Sequence, residues 1–548
     1  MTSDSRPMSK PASTRRNADV AEGHWDVIIV GAGSAGAPLS ARLAAAGRRV
    51  LLLEAGPDLS SDSLPEVWRS PNPLRALLDP DASRDLIWPD LLAARTDEQD
   101  AGLYLRGQGV GGSSSINGQI AIRPPLEEFD DWVAAGCTGW SPADVLPFFS
   151  RSEDDEQFGD ESYHGSGGPI PIYRTPRGAW GSVDAALRAA ALAAGHPWAE
   201  DVNAPGAAGV SPYPINSRGG RRVTVGDGYL EPVRKTSNLT VRGDALVDRV
   251  LLDRGRAVGV RYLSGGAAVD VHADLVVLSA GAVHSPAILL RSGIGPAAAL
   301  RRLDIDVVAD LPVGLGLQDH PLTGVSIPLK DAATIRTPDE RHTNVCVRYC
   351  SGHPEGKPLD MMLLSLNQNI LPMEDAHVRF GAGALGVMLG QPFSRGSVEL
   401  VSGDPNVQPA VRESMLSDER DRERLRAGVR TVAEMAAGPV VASITDGAVE
   451  RANPTLFSIF DDDARLDSYL LATAADAQHA TSTCRMGSPY EPTTVVGPDC
   501  GVLGVDGLRV VDASIFPAVP RANTHLTAVM VGELMADRIS GTAPERKI

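Results

Sequence analysis

Residues 25–54 read WDVIIVGAGSAGAPLSARLAAAGRRVLLLE. Val27 to Val30, with Trp25 before them, form a short, unbroken apolar run of the kind that becomes a strand buried on both faces. Gly31, Gly33 and Gly36 follow at G-x-G-x-x-G spacing. A helix-like run comes next, and Val50 to Leu53 give a second apolar strand ending at Glu54. Gly31 permits a tight turn, Gly33 lets the backbone approach a pyrophosphate, and Gly36 lets helix and strand pack closely. The helix N-terminus adds free amides and the positive end of a dipole. Glu54 lies 18 residues past Gly36, near the spacing of a carboxylate that grips ribose hydroxyls. The stretch predicts a bound dinucleotide and leaves NAD and FAD equally open.

At 548 residues the chain is too long for one simple core, so two domains are expected. An apolar content of 43% marks a soluble globular protein. The formal net charge of −18 opposes binding to nucleic acid or to an anionic membrane surface. Cys137, Cys346, Cys350, Cys484 and Cys500 are too few and too scattered for a disulfide framework. Cys346 and Cys350 have the spacing of one helical turn, but no second pair completes a site, so no metal is expected. The expected location is the reducing cytoplasm. Residues 1–23 are polar and read as a disordered tail; Arg15-Arg16 lacks the hydrophobic segment that a twin-arginine signal needs. No run of 18 apolar residues occurs, so no membrane span is expected.

Outward from the opening stretch, residues 57–100 carry Pro57, Pro65, Pro71 and Pro73 and read as a covering excursion. Residues 104–123, YLRGQGVGGSSSINGQIAIR, form a second small-residue loop suited to wrapping a long ligand. Residues 126–160 look helical, and the run Glu153-Asp154-Asp155-Glu156 reads as a solvated face. Residues 239–279 alternate as strands and return to the first sheet at Leu275–Ser279. The turn Ala280-Gly281-Ala282 then leads into a helix at Pro286–Arg291. From 322 to 480 the segments GVSIPL, NVCVRY and DMMLLSL read as strands of a second sheet, with helices over 417–437 and 462–477. Residues 524–540 read as a C-terminal helix.

Seven blocks then occur in a set order: the glycine fingerprint, LRGQGVGGSSSIN, GAVHSPAILLRSGIG, LPVGLGLQDH, FSRGSVELVSGDPNVQP, HATSTCRMG, and LRVVDASIFP with ANTHLTAVMVGE. From Asp26 to Ile539 the chain resembles the glucose–methanol–choline (GMC) oxidoreductase family. The resemblance implies FAD, and an α/β fold with a Rossmann-like FAD-binding domain assembled from residues 24–165, 224–321 and 485–548. It implies a discontinuous substrate-binding domain, 166–223 and 322–484, built on an antiparallel sheet flanked by helices.

The resemblance also places residues. Gly31, Gly33, Ser34, Ala35, Gly36, Glu54 and Ala55 would hold the adenosine and pyrophosphate end, with Val247 at the adenine. Val110, Gly111, Ser114, Asn117 and Gly118 would lie near the pyrophosphate and flavin. Ala280, Gly281, Asp512 and Ala513 would approach the middle of the cofactor, and His525 and Leu526 the ring. Family members that bind FAD covalently do so through a His where this chain has Ile116, so noncovalent FAD is expected.

Of the eleven histidines, His479 opens HATSTCRMG at the position of the family's principal active-site His. His525 stands where a second active-site Asn or His is expected; the other nine, His284 and His320 among them, read as structural or exposed. Oxidising an alcohol removes a proton from oxygen and a hydride from carbon. A neutral imidazole suits the proton, and the hydride belongs to the cofactor. His479 is the expected general base, and His525 the group that hydrogen-bonds the substrate oxygen. Ala480 and Ser482 stand where the family's HPxGT has Pro and Gly. The partners implied are an alcohol and an electron acceptor, O2 or a quinone or other carrier, with the oligomeric state open. Hydroxynitrile lyases and a fatty-acid photodecarboxylase share this fold and are the alternatives.

Overall fold

The computed structural model describes residues 24–541 apart from 61, 78, 80, 81, 83 and 370–381. The tail expected over 1–23 lies outside the described residues.

Strand β1 (Trp25–Val30) runs parallel to β2 (Val50–Leu53), joined by helix α1 (Gly36–Ala45). β3 (Leu239–Arg242) extends this sheet beside β2, also in parallel. β4 (Leu246–Asp253), β5 (Arg256–Ser264) and β6 (Ala267–Leu278) form an antiparallel meander. The long β6 serves both halves. Its start pairs with β5, and Ala273–Leu278 pairs in parallel with β1. β7 (Leu508–Val510) closes on the far side of β6. Val27 to Val30 and Val50 to Leu53 are buried, as strands covered on both faces must be. The turns after β1, β2, β6 and β7 therefore meet at one edge of the sheet, the carboxyl ends of the parallel strands.

Helix α2 (Gly281–Arg291) begins five residues before the expected start and takes Pro286 into its interior. The carbonyl of Ala282, which the missing proline N–H would have served, accepts from the Thr483 hydroxyl at 2.6 Å. Helix α3 (Thr524–Ser540) packs on α1 so closely that a Cβ at Gly532 would sit 2.4 Å from the Ala35 carbonyl oxygen. Glu533 of α3 is buried and receives Arg42, Arg151 and the Tyr229 hydroxyl.

The second sheet is antiparallel throughout. Its strands run in the order Ala475–Asp476, Pro321–Pro328, Ala382–Leu389, Met361–Leu366, Val345–Tyr349 and Gly209–Pro212. Period-two alternation splits its side chains. Val325, Val347, Leu363 and Val387 pack with Leu425, Val429 and Val432 of the helix Glu419–Ala437. Leu322, Met362, Leu364 and Met388 face the cavity that lies between the two sheets.

Three readings change. Glu153–Asp155 is a short strand, not a solvated face: Glu153 and Asp155 turn inward to Arg123, His164 and Arg174, while Asp154 alone meets solvent-side partners. The helix expected over 462–477 ends at Thr473, and the residues after it pair with the second sheet. Cys346 lies on a strand with Cys350 just past its end, so they share no helical face; all five cysteines are free. Among the described residues no helix is long and apolar enough to cross a membrane.

Candidate active site

One cavity of about 460 Å³ runs from the glycine loop to the histidines. At its first end the Glu54 carboxylate ties three loops together. It accepts from the amides of Ala32 (2.8 Å), Gly56 (3.1 Å) and Gly109 (2.9 Å). Burial raises its pKa, and these amides oppose that rise. The three fingerprint glycines have different reasons. A Cβ at Gly31 would sit 2.4 Å from the Ser279 carbonyl oxygen, and one at Gly36 would sit 1.9 Å from that of Gly31. A Cβ at Gly33 would meet no protein atom closer than 3.8 Å. Packing requires the first two; the third keeps open a space that borders the cavity. The second loop lies against the first, with the Gly111 amide donating to the Ala32 carbonyl at 3.0 Å.

Of the residues expected at the cofactor, Gly31, Gly33, Ser34, Ala35, Glu54, Ala55, Asn117, Gly118, Val247, Ala280, Gly281, Asp512, Ala513 and His525 line this cavity. Gly36, Val110, Gly111, Ser114 and Leu526 stand behind it. Ser114, for example, donates to the Gly111 carbonyl and accepts from Val225. Asp512 clasps the turn after β6, accepting from Gly281, Ser285 and Ser514.

At the other end His479 is held by three residues, Asp319, His320 and Asn523. Its backbone amide donates to Asp319 at 2.7 Å, and Asp319 also accepts from the Tyr104 hydroxyl at 2.8 Å. Its Nδ1 lies 2.8 Å from Nδ1 of His320, and its Nε2 lies 3.1 Å from Nδ2 of Asn523. With the amide nitrogen of Asn523 facing the ring, Nε2 accepts, so Nδ1 carries the proton and donates to His320. The loop that bears His479 turns through two left-handed residues, Gln478 (φ +64°) and Ser482 (φ +73°). Ser482, which replaces the family's glycine, thus keeps a glycine-like backbone.

His525, in the first turn of α3, enters the same cavity, but its Nδ1 bonds the Ser34 hydroxyl at 2.9 Å and its Nε2 is buried with no partner among the described residues. The segment therefore delivers two polar groups: Asn523 to His479, and His525 to the glycine loop. Sequence reasoning missed Asn523 and His320. Asn523 precedes the first turn of α3 and its side chain makes no capping bond, which frees it for His479. His320 ends the LPVGLGLQDH block, which was its only sequence signal.

Burial lowers the pKa of His479 to about 3, with Arg106 adding repulsion, and that of His525 to about 4, with Arg222 adding to it. Burial and His479 hold His320 well below its ordinary value. All three rings are neutral at pH 7. Behind His479, carboxylate oxygens of Asp319, Glu413 and Asp476 lie within 4.8 Å of one another. Arg95 pairs with Asp476, and Arg106 approaches Asp319 at 3.6 Å, so guanidinium groups already serve this cluster. Burial, then Asp476 and Asp319, push Glu413 well above the carboxylate range.

These residues fit an FAD: a cradle at Gly33, a helix N-terminus beyond it, and an unpartnered His525 Nε2 further along the cavity. Two GMC oxidoreductase family models match the chain, the N-terminal one over residues 25–322 and the C-terminal one over 392–532. A 5-(hydroxymethyl)furfural oxidase from Methylovorus sp. (strain MP688) is 36% identical, over 94% of this chain and 98% of that protein. An oxygen-dependent choline dehydrogenase from Photobacterium profundum is 33% identical, over 95% of this chain and 94% of that protein. The crystal structure of pyridoxine 4-oxidase from Mesorbium loti superposes with a TM-score of 0.85 at 29% identity, covering 94% of this chain and 99% of that one. The chain belongs to the GMC oxidoreductase family, whose members are FAD-dependent.

Proposed function

We propose that the protein oxidises a neutral primary alcohol, a hydroxymethyl group on a ring, to the aldehyde, with noncovalently held FAD and O2 as the acceptor. The observation that carries this reading is the state of His479: a neutral ring whose Nε2 lone pair borders the cavity, fixed by His320 on one side and Asn523 on the other.

In this reading the alcohol displaces the Asn523 amide from His479 Nε2, and that nitrogen takes the carbinol proton. The Asn523 amide donates to the substrate oxygen and stabilises the charge that builds there. FAD supplies the hydride acceptor when bound. His525, turned toward Ser34, serves the cofactor side of the cavity. Electrons then pass to O2, so that alcohol and O2 give aldehyde and hydrogen peroxide. The chamber wall of Tyr213, Leu322, Met362, Leu364, Leu366 and Met388 suits an apolar ring. The names of two relatives, a 5-(hydroxymethyl)furfural oxidase and a pyridoxine 4-oxidase, support a ring-borne alcohol and oxygen.

The test is anaerobic mixing of the holoenzyme with ring-borne and aliphatic primary alcohols. Bleaching of the flavin band near roughly 450 nm, and one hydrogen peroxide per aldehyde on admitting air, are expected. Release of cyanide from a cyanohydrin, with no bleaching by any alcohol, refutes the reading in favour of a lyase. Heat denaturation is expected to free intact FAD, since Ile116 offers no attachment point. Flavin that stays with the precipitated chain refutes noncovalent binding.

A further inference from the structure

Two guanidinium groups are buried behind the chamber wall without a carboxylate. Arg222 is 2% exposed; it donates to the Trp68 and Ser114 carbonyls at 3.0 Å each and to the Asn117 side-chain oxygen at 2.9 Å. Arg341, 8% exposed, donates to the carbonyls of Pro71 at 2.8 Å and Gly118 at 2.6 Å. Arg222 Nη2 and Arg341 Nε have no partner, and neither residue forms an ion pair among the described residues. Asp227 and Asp184 attract them from beyond ion-pair distance, while Asp227 is held by Thr224 and Asp184 by Asn344 and Asn367.

Burial and Arg341 push Arg222 down to about 9, and burial pushes Arg341 down to about 10, so both are charged at neutral pH. Two like charges taken out of water with only carbonyl dipoles for company are costly to keep. They are also close to the cavity. Asn117 and Gly118, which they hold, line it, as do His342 and Thr343 next in the chain to Arg341. Elsewhere around the chamber, charges answer one another: Asp476 pairs with Arg95 and Asp319 with Arg106, while burial and these two carboxylates push Glu413 well above the carboxylate range. The glycine-loop end holds Glu54 and Asp512, fully engaged by backbone and serine donors.

We propose that Arg222 and Arg341 set the charge preference of the substrate chamber, refusing quaternary ammonium alcohols and admitting neutral ones, with anionic ones favoured. The inference rests on the alcohol-oxidising reading and adds to it a reason why a relative of choline dehydrogenases would turn choline away. Because the charges are buried, bulk salt screens them little.

The test compares kcat/KM of the holoenzyme for benzyl alcohol, 4-(hydroxymethyl)benzoate and choline, in the wild type and in Arg341→Met, Arg341→Lys, Arg222→Met and Arg222→Lys. Each ratio is taken on one enzyme preparation, so the folded and flavin-loaded fraction cancels. Choline is expected at least about 100-fold below benzyl alcohol, two charges each contributing about tenfold at an effective dielectric near 20. Either Met variant is expected to raise the choline-to-benzyl alcohol ratio about tenfold, and the Lys variants to leave it near the wild-type value. A ratio unmoved by both Met variants, or moved equally by Lys, overturns the inference while turnover of benzyl alcohol leaves the alcohol reading standing. If no alcohol is turned over, that reading fails. Titration of the flavin spectrum with benzoate and with benzyltrimethylammonium then still reads the charge preference: tighter benzoate supports it, equal affinity overturns it.

Discussion

The Nδ1 atoms of His320 and His479 lie 2.8 Å apart, and neither two protons nor two lone pairs are stable at that distance. One N–H must point from ring to ring, and Asn523 at the far nitrogen of His479 decides which. His320 is thus a positioning residue for the tautomer of His479. His320→Ala is expected to lower kcat by about 10² with a smaller change in KM, since His479 then titrates and turns without its partner. His320→Gln, whose side-chain oxygen can accept from Nδ1, is expected to recover part of that loss. Stopped-flow reduction of the flavin checks both. Equal rates in the alanine and glutamine variants would contradict the assignment.

The pH dependence has a definite sign. A pKa of His479 near 3, far below the ordinary 6.5, means that the base is already neutral across pH 5–8. The acid limb of kcat/KM is expected well below pH 6, with no inflection near 6.5. The same shift works against the fold in acid. The unfolded chain binds protons at His479 from about pH 6.5 downward, and the folded chain not until about 3, so stability falls as pH falls through that window. His525 (about 4) and His284 (about 4) act in the same direction. Steady-state profiles and denaturant midpoints across pH 4.5–8 measure the two effects.

Gly33→Ala and Gly36→Ala separate binding from folding. A Cβ at Gly36 falls 1.9 Å from a backbone oxygen and forces helix α1 off its strand. That variant is expected to yield little soluble protein. A Cβ at Gly33 meets no protein atom within 3.4 Å, so Gly33→Ala is expected to fold with unchanged apoprotein stability and to lose FAD affinity by tenfold or more, the space being the ligand's. Apoprotein melting and flavin retention on desalting read the two outcomes apart.

Ser482 pays for its left-handed backbone, φ +73°, roughly 1 kcal/mol. Ser482→Gly is expected to stabilise the protein by up to about 1 kcal/mol, less the entropy glycine loses on folding, while kcat stays within a factor of two or so. The denaturation midpoint relative to Ser482→Ala, which keeps the strain and loses the hydroxyl contact to Thr481, gives the comparison. A glycine variant less stable than the alanine one would refute the account.

The glycine loop and both apolar strands beside it were legible because backbone demands and burial leave few residues that fit. The strands of the second sheet were legible as short, nearly unbroken apolar runs, as in Met361–Leu366. Direction was harder to read than position. Glu153-Asp154-Asp155 looked solvated because charge was weighed without period, whereas a strand sends its first and third residues to one side and Arg123, His164 and Arg174 wait there. Asn523 and His525 stand two apart across the start of α3, and only the helix boundary decides that one turns to His479 and the other to Ser34. His320 reached the site through a strand that pairs Pro321 with Asp476, a contact across more than 150 residues that no local pattern encodes.

The last wall of the cofactor cradle comes from β7, Asp512 and the start of α3, all within the final fifty residues described. A ribosome delivers Gly31 and Glu54 more than 400 residues before these. The nascent chain therefore carries half a cradle until β7, Asp512 and the start of α3 have emerged, and flavin capture follows their emergence.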